Sequence, residues 1–182
     1  MRMWSSEKPD NFFVEGPLHA QKIGVWCALN RRRIYGPIFF NGTLTAQRYR
    51  EEIIAPFVNQ LEENEITNFY FQQDGARAHT AGETMNMLRE VFQNRLISLN
   101  AEHEFPPRSC DITPCDFFLW PYLKNTIFEL PIPDLNHLQA RLIDKIREIN
   151  NTPSILENVF NSLRNRCEKC LEQGGGHFQQ LL

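Results

Sequence analysis

Phe71-Gln72-Gln73-Asp74-Gly75-Ala76-Arg77-Ala78-His79-Thr80 sets a short aromatic run directly before an Asp-Gly pair, and the reading of the chain turns on it. Aromatic residues favour a pleated, half-buried surface, so residues 67–73 are predicted to form a buried strand that delivers Asp74 at its carboxyl end. Helical spacing follows from Thr80 to about Gln93. Upstream, residues 22–29 are apolar and partly β-branched, Asn30-Arg31-Arg32-Arg33 is a polar turn, and residues 34–40 form a second strand. Asn41-Gly42 breaks that run. Ala46, Tyr49, Ile53, Phe57 and Leu61 then recur at helical spacing, which predicts a helix capped by Thr43 or Thr45, reaching about Glu63 and kinked at Pro56.

Downstream, residues 95–99 read as another short strand and residues 100–104 as a polar loop. The loop leads into Pro106-Pro107-Arg108-Ser109-Cys110-Asp111-Ile112-Thr113-Pro114-Cys115-Asp116, where Thr113 and Pro114 have the character of an N-cap and first turn. Residues 117–123 form an aromatic helix with an awkward Pro121. Leu135, Leu138, Leu142, Ile146 and Ile149 mark a further helix, and Leu156, Val159, Phe160, Leu163 and Cys167 mark the last, ended by Gly174-Gly175-Gly176. Strands and helices in this order make an α/β chain with helices accumulating at its end. Residues 1–17 are polar, turn-rich and read as irregular.

The composition fits that reading. The chain has 182 residues, 42% of them hydrophobic, 12% aromatic and 23% charged, which excludes collagen-like, low-complexity and disulfide-scaffold classes. No apolar stretch approaches the roughly 18 residues that cross a bilayer, and no export signal opens the sequence, so neither a membrane nor a secreted protein is expected. Nineteen basic against 22 acidic residues give a charge of −3, so any nucleic-acid contact must be local. Five cysteines, an odd number, are expected as reduced thiols of a cytosolic or nuclear protein. Cys167 and Cys170 form a C-x-x-C with no second pair to complete a zinc set, and they read as helix positions.

Asp74 and Asp116 stand out as candidate ligands. Aspartate is short and stiff, and carboxylates held by a strand tip and by a helix's first turn are placed rigidly enough to share divalent cations in phosphoryl transfer. Each also has a plain structural reading. Asp116 closes a T-x-x-D capping box with Thr113, and Asp74 is a common turn residue before glycine. Asp111 is a second possible cap, His79 a satisfied polar residue, and Arg108 a carboxylate partner.

The passage around Asp74 resembles the Q-D-x-A-x-x-H segment of mariner-type transposases, and residues 106–120 resemble their P-x-S-P-D-L-x-P-x-[DE] segment, with Cys110 in place of proline and Ile112 in place of leucine. The resemblance implies an RNase H-like, integrase/transposase-type α/β fold, with a mixed sheet flanked by helices. It further implies Mg2+- or Mn2+-dependent DNA cleavage and strand transfer in the nucleus, with transposon-end DNA as partner. Asp74 and Asp116 become the second and third catalytic metal ligands, while Asp111 aligns with an aspartate the family does not use as a ligand. The 41 residues between Asp74 and Asp116 imply a long-spacing aspartate subgroup. The recognisable core is about 22–123, followed by C-terminal helices at about 134–171, so residues 1–182 are read as one partial catalytic domain.

The family's first ligand stands on an opening central strand, and this sequence is expected to begin after it. Glu7, Asp10 and Glu15 are the early acids, all in turn-like context. Two carboxylates in place of three predict weak metal binding and doubtful catalysis, and an unfilled sheet position predicts exposed strand edges and marginal folding. The alternative is a catalytically inactive DNA- or protein-binding remnant that uses Arg31, Arg32, Arg33, Arg48 and Arg50, which otherwise form a solvated turn and helix face. An open sheet edge also makes a homodimer a candidate assembly.

Overall fold

Val25, Cys27 and Leu29 alternate with Trp26 and Ala28 along β1 (Gly24–Leu29), and the two sets enter different cores. Period-two alternation sends successive side chains to opposite faces, so apolar residues at every position require cover on both sides. β1 pairs antiparallel with β2 (Ile34–Phe40), Gly24 opposite Phe40 and Leu29 opposite Ile34, with a bulge between Trp26 and Ala28. Gly36 faces the bulge at φ +92°, where a Cβ would stand 2.9 Å from the Trp26 carbonyl oxygen. Only glycine fits there. The predicted polar turn is closed by Asn30, whose Oδ1 accepts from the Arg32 and Arg33 N–H groups at 2.8 Å each. The structure, a computed structural model, describes residues 21–107 and 109–181, so the opening segment with Glu7, Asp10 and Glu15, and also Arg108, lie outside the described residues.

The first helix, α1, runs as α (Ala46–Arg48), then π (Tyr49–Ile54), then α (Ala55–Val58). Thr45 is its cap, accepting from the Arg48 N–H at 3.3 Å. Pro56 sits at the start of the final α segment, so the ladder change before it absorbs the missing N–H expected to kink the helix. The helix stops at Val58, short of Glu63, because Glu62 and Glu65 form a capping box that opens a separate helix, α2 (Glu63–Asn68). Thr67 and Asn68, predicted in a strand, therefore belong to a helix. The strand itself shortens to β3 (Phe71–Gln72).

A crossover helix, α3 (Gly82–Phe92), connects β3 to its parallel neighbour β4 (Leu96–Ile97) and buries Met85, Leu88 and Phe92. α4 begins with a π segment (Cys115–Leu119) and continues as α (Trp120–Ile127), with Pro121 again just after the change of ladder. α5 (Leu135–Asn150), capped by Asp134, and α6 (Pro153–Glu172) complete the second core with Leu142, Ile146, Ile149 and Leu156. The arrangement is the expected mixed α/β one. Its strands stand as two ladders, β1–β2 antiparallel and β3–β4 parallel, with no strand pairing between them among the described residues.

Candidate functional site

Beyond β3 the chain is held by Gln73, a buried polar residue whose N–H donates to the Ile97 carbonyl at 3.0 Å. Its side-chain amide donates to Ser98 Oγ at 3.0 Å and to the His79 carbonyl at 3.1 Å, and its Oε1 accepts from the Tyr49 hydroxyl at 3.2 Å. A buried polar network that is fully used rigidifies what it holds, and this one fixes the residue before Asp74. Asp74 Oδ1 accepts from the Ala76 N–H at 3.0 Å and lies 2.6 Å from His79 Nδ1, while the His79 ring packs 4.4 Å from the ring of Tyr49. The turn reading of Asp74 therefore holds for one oxygen. Its second carboxylate oxygen has no hydrogen-bond partner among the described residues. The His79 contact, with help from Ala76, holds the Asp74 carboxyl below the ordinary carboxylate range against the opposing effect of burial.

Asp116 is carried by the π segment of α4. The Thr113 hydroxyl donates to the Ser109 carbonyl at 3.3 Å instead of capping, and the Thr113 carbonyl takes the Asp116 N–H at 2.8 Å. The capping box predicted for this pair is not formed, because the hydroxyl is spent one turn upstream. The Asp116 carboxylate has no hydrogen-bond or ion-pair partner among the described residues. Burial pushes its pKa up, and the charge of Asp74 adds to the rise. Three contacts secure this segment. Cys115 Sγ meets the Cys27 carbonyl at 3.8 Å, Gln72 donates to the Ile112 carbonyl at 3.2 Å, and Arg166 donates to the Asp111 carbonyl at 3.2 Å while its guanidinium lies 4.3 Å from the Phe117 ring centre.

Both aspartates line a cavity of about 420 Å³. The Cys115 thiol, which also lines the cavity, is pushed up to about 12, first by burial and then by the charges of Asp116 and Asp74, so it stays protonated and is a poor metal ligand. Asp111 does not line the cavity. The exposed pair of hard oxygen donors fits a cation that keeps several waters and takes one or two carboxylates, as Mg2+ does. No group of three or more His, Cys, Asp or Glu side chains suited to a metal forms among the described residues.

The basic set is largely committed elsewhere. Arg33 pairs with the buried Glu65 at 2.8 Å, Arg48 with Glu52 at 2.6 Å, and Arg50 with Glu83. Arg31 and Arg32 remain exposed on the turn. Arg48 and Arg50 are thus paired on the helix face, while Arg33 is drawn from the turn to a buried carboxylate.

No protein-family model and no curated protein matches the chain. Solved structures do. The catalytic domain of Mos1 mariner transposase superimposes with a TM-score of 0.64 at 17% identity, over 86% of this chain and 75% of that one. The Mos1 strand transfer complex gives 0.74 at 16% identity, over 98% of this chain and 50% of that one. The Mos1 paired-end complex with left transposon end gives 0.73 at 16% identity, over 98% and 51%.

The chain has the mariner transposase catalytic-domain fold. It spans about half the length of the transposase chains in those two complexes. Within the mariner-type fold, the two aspartates singled out by motif come to one cavity from separate elements. The Tyr49–Gln73–Ser98 network was not foreseen; its one trace in the sequence is a pair of glutamines closing an aromatic strand.

Proposed function

We propose that the chain is the catalytic-domain portion of a DDE/DDD-type transposase, acting in Mg2+- or Mn2+-dependent cleavage and strand transfer of transposon-end DNA. The observation that carries the reading is the meeting of Asp74 and Asp116 at one cavity, each with carboxylate oxygen left unused by the fold. A cation held there supplies Lewis-acid stabilisation of charge on the reacting phosphate. Asp74 contributes its free oxygen while His79 and Ala76 immobilise the other, which lowers the orientational freedom lost on binding. Asp116 approaches from the α4 segment anchored by Gln72 and Arg166. Their mutual repulsion favours capture of a cation, since a positive charge between two carboxylates relieves it.

The test is nicking of supercoiled plasmid carrying element-end DNA, with Mg2+ or Mn2+, by the chain and by its Asp74→Asn and Asp116→Asn variants. Metal-dependent nicking lost in both variants supports the reading. Nicking that persists in both overturns the assignment of Asp74 and Asp116, whereas no metal-dependent nicking together with salt-dependent DNA binding unchanged by both substitutions supports the binding remnant instead.

A further inference from the structure

Residues 74–77, the turn that carries Asp74, are exposed in succession, and Asp116 is exposed as well. A polyanion that reaches the two carboxylates therefore meets this turn. Its backbone is held by one carbonyl that takes three donors. The Ala76 carbonyl accepts from the His79 N–H at 2.9 Å, the Thr80 N–H at 3.0 Å and the Thr80 hydroxyl at 3.1 Å, while the Ala76 N–H donates to Asp74 Oδ1 at 3.0 Å. Arg77 thus leaves the chain from a fixed stretch of backbone.

Other arginines are spent within the fold. Arg33, Arg48 and Arg50 face carboxylates, and Arg141 and Arg166 hold main-chain carbonyls. Arg77 is exposed and has no hydrogen bond, ion pair or aromatic contact among the described residues. It is not drawn to Asp74 either, since the groups that lower that carboxyl are His79 and Ala76. The guanidinium therefore stands clear of the carboxylate and is available to a second anion. Three residues of chain span at most about 11 Å, so the base of the Arg77 side chain lies within that distance of Asp74. Successive phosphates of one DNA strand advance about 3.4 Å along the helix axis. A guanidinium so placed meets the backbone within a few nucleotides of a phosphate held at Asp74.

Resting on the reading of the site proposed above, we infer that Arg77 grips a DNA backbone phosphate a few nucleotides from the reacting one, and so sets the register of the strand over Asp74 and Asp116. Phosphate contacts of this kind fix register and orientation without reading sequence. The planar guanidinium fork matches two phosphate oxygens, and its permanent charge offsets the repulsion between the polyanion and the two carboxylates.

Because the contact is independent of sequence, the probe is a fluorescent duplex of arbitrary sequence, titrated with the intact chain across a salt series with no metal ion present. Nicking of supercoiled plasmid with Mn2+ is followed separately. Arg77→Ala is expected to lower the slope of log affinity against log salt by about 1. In the nicking assay it should raise the half-saturating DNA concentration about threefold or more, with the maximal rate within about twofold. Arg77→Lys should keep the slope but recover only part of the affinity, since an ammonium is a point charge without the fork. Mn2+ binding without DNA should be the same in all three chains. An unchanged slope in Arg77→Ala overturns the inference. So does an equal fall in Arg31→Ala, which removes the same charge from the turn after β1, because charge alone is then acting. Altered Mn2+ affinity in Arg77→Ala overturns it in favour of a structural role. A chain that does not nick but shows the expected slope change keeps Arg77 as a DNA contact and overturns the cleavage reading alone, whereas a chain that binds no DNA at any salt overturns both.

Discussion

Asp74 and Asp116 differ in what holds them. Asp74 has one oxygen tied down by His79 and Ala76, whereas Asp116 is placed by its backbone and leaves its carboxylate free. Substituting His79 should therefore act through Asp74. His79→Ala is expected to weaken Mn2+ binding several-fold with little loss of fold stability, and His79→Asn, which retains a donor, to recover part of it; calorimetric titration checks both. Glu65 makes a different residue-scale prediction. Burial alone raises its pKa, but the Tyr35 hydroxyl, the Glu62 N–H and the Arg33 guanidinium outweigh it and hold the carboxyl at about 2. A depressed folded-state pKa contributes stability that is full above the unfolded value near 4.5 and lost as pH falls through about 2. Acid titration of the melting temperature should show a fall in that window that Glu65→Gln removes. That variant should also lose about 2–3 kcal/mol at neutral pH, because Arg33 and Tyr35 lose their anionic partner.

Elements carry the site through a few buried side chains. Gln73→Leu leaves the Tyr49 and Ser98 hydroxyls without their shared partner, and is expected to cost about 1–3 kcal/mol and to loosen the Asp74 turn, read as faster amide exchange at Ala76. Leu88→Ala on α3, where the side chain is fully buried, should cost about 2–5 kcal/mol by denaturant titration. The strands and helices around these residues were legible where one pattern dominated. The two-strand start, the crossover helix and the C-terminal helices follow from apolar periodicity and end near the predicted residues. The region 59–70 was not, because Leu61 extends the helical spacing while Glu62 and Glu65 terminate and restart the helix through a local capping box. At Asp116 the T-x-x-D pattern pointed to a cap, but Thr113 satisfies Ser109 instead, a choice set by the tight turn at Cys110–Ile112 that spacing alone does not show. His79 illustrates the same limit from the other side. Its hydrogen bond to Asp74 depends on the turn that brings residues five apart together, and a lone histidine carries no such signal.

At the scale of the whole molecule, the two ladders and two cores are joined by helices that bury residues on both faces of β1. The site sits at this junction, with Asp74 belonging to one ladder and Asp116 to the helix that packs on the other. On the proposed reading a cation shared by the two carboxylates would link the halves, so metal binding should stabilise the fold. At Mn2+ concentrations about 100 times the dissociation constant the gain is expected to be about 2.7 kcal/mol, visible as a higher melting temperature. That linkage requires both carboxylates in one site. The measurement that bears on it most directly is Mn2+ titration of the intact chain, of Asp74→Asn, of Asp116→Asn and of the double variant. The expected result is a site in the unsubstituted chain that is lost or greatly weakened by either single change, the double variant being no worse than the singles. Unaltered Mn2+ affinity in either single variant would contradict a site shared by Asp74 and Asp116.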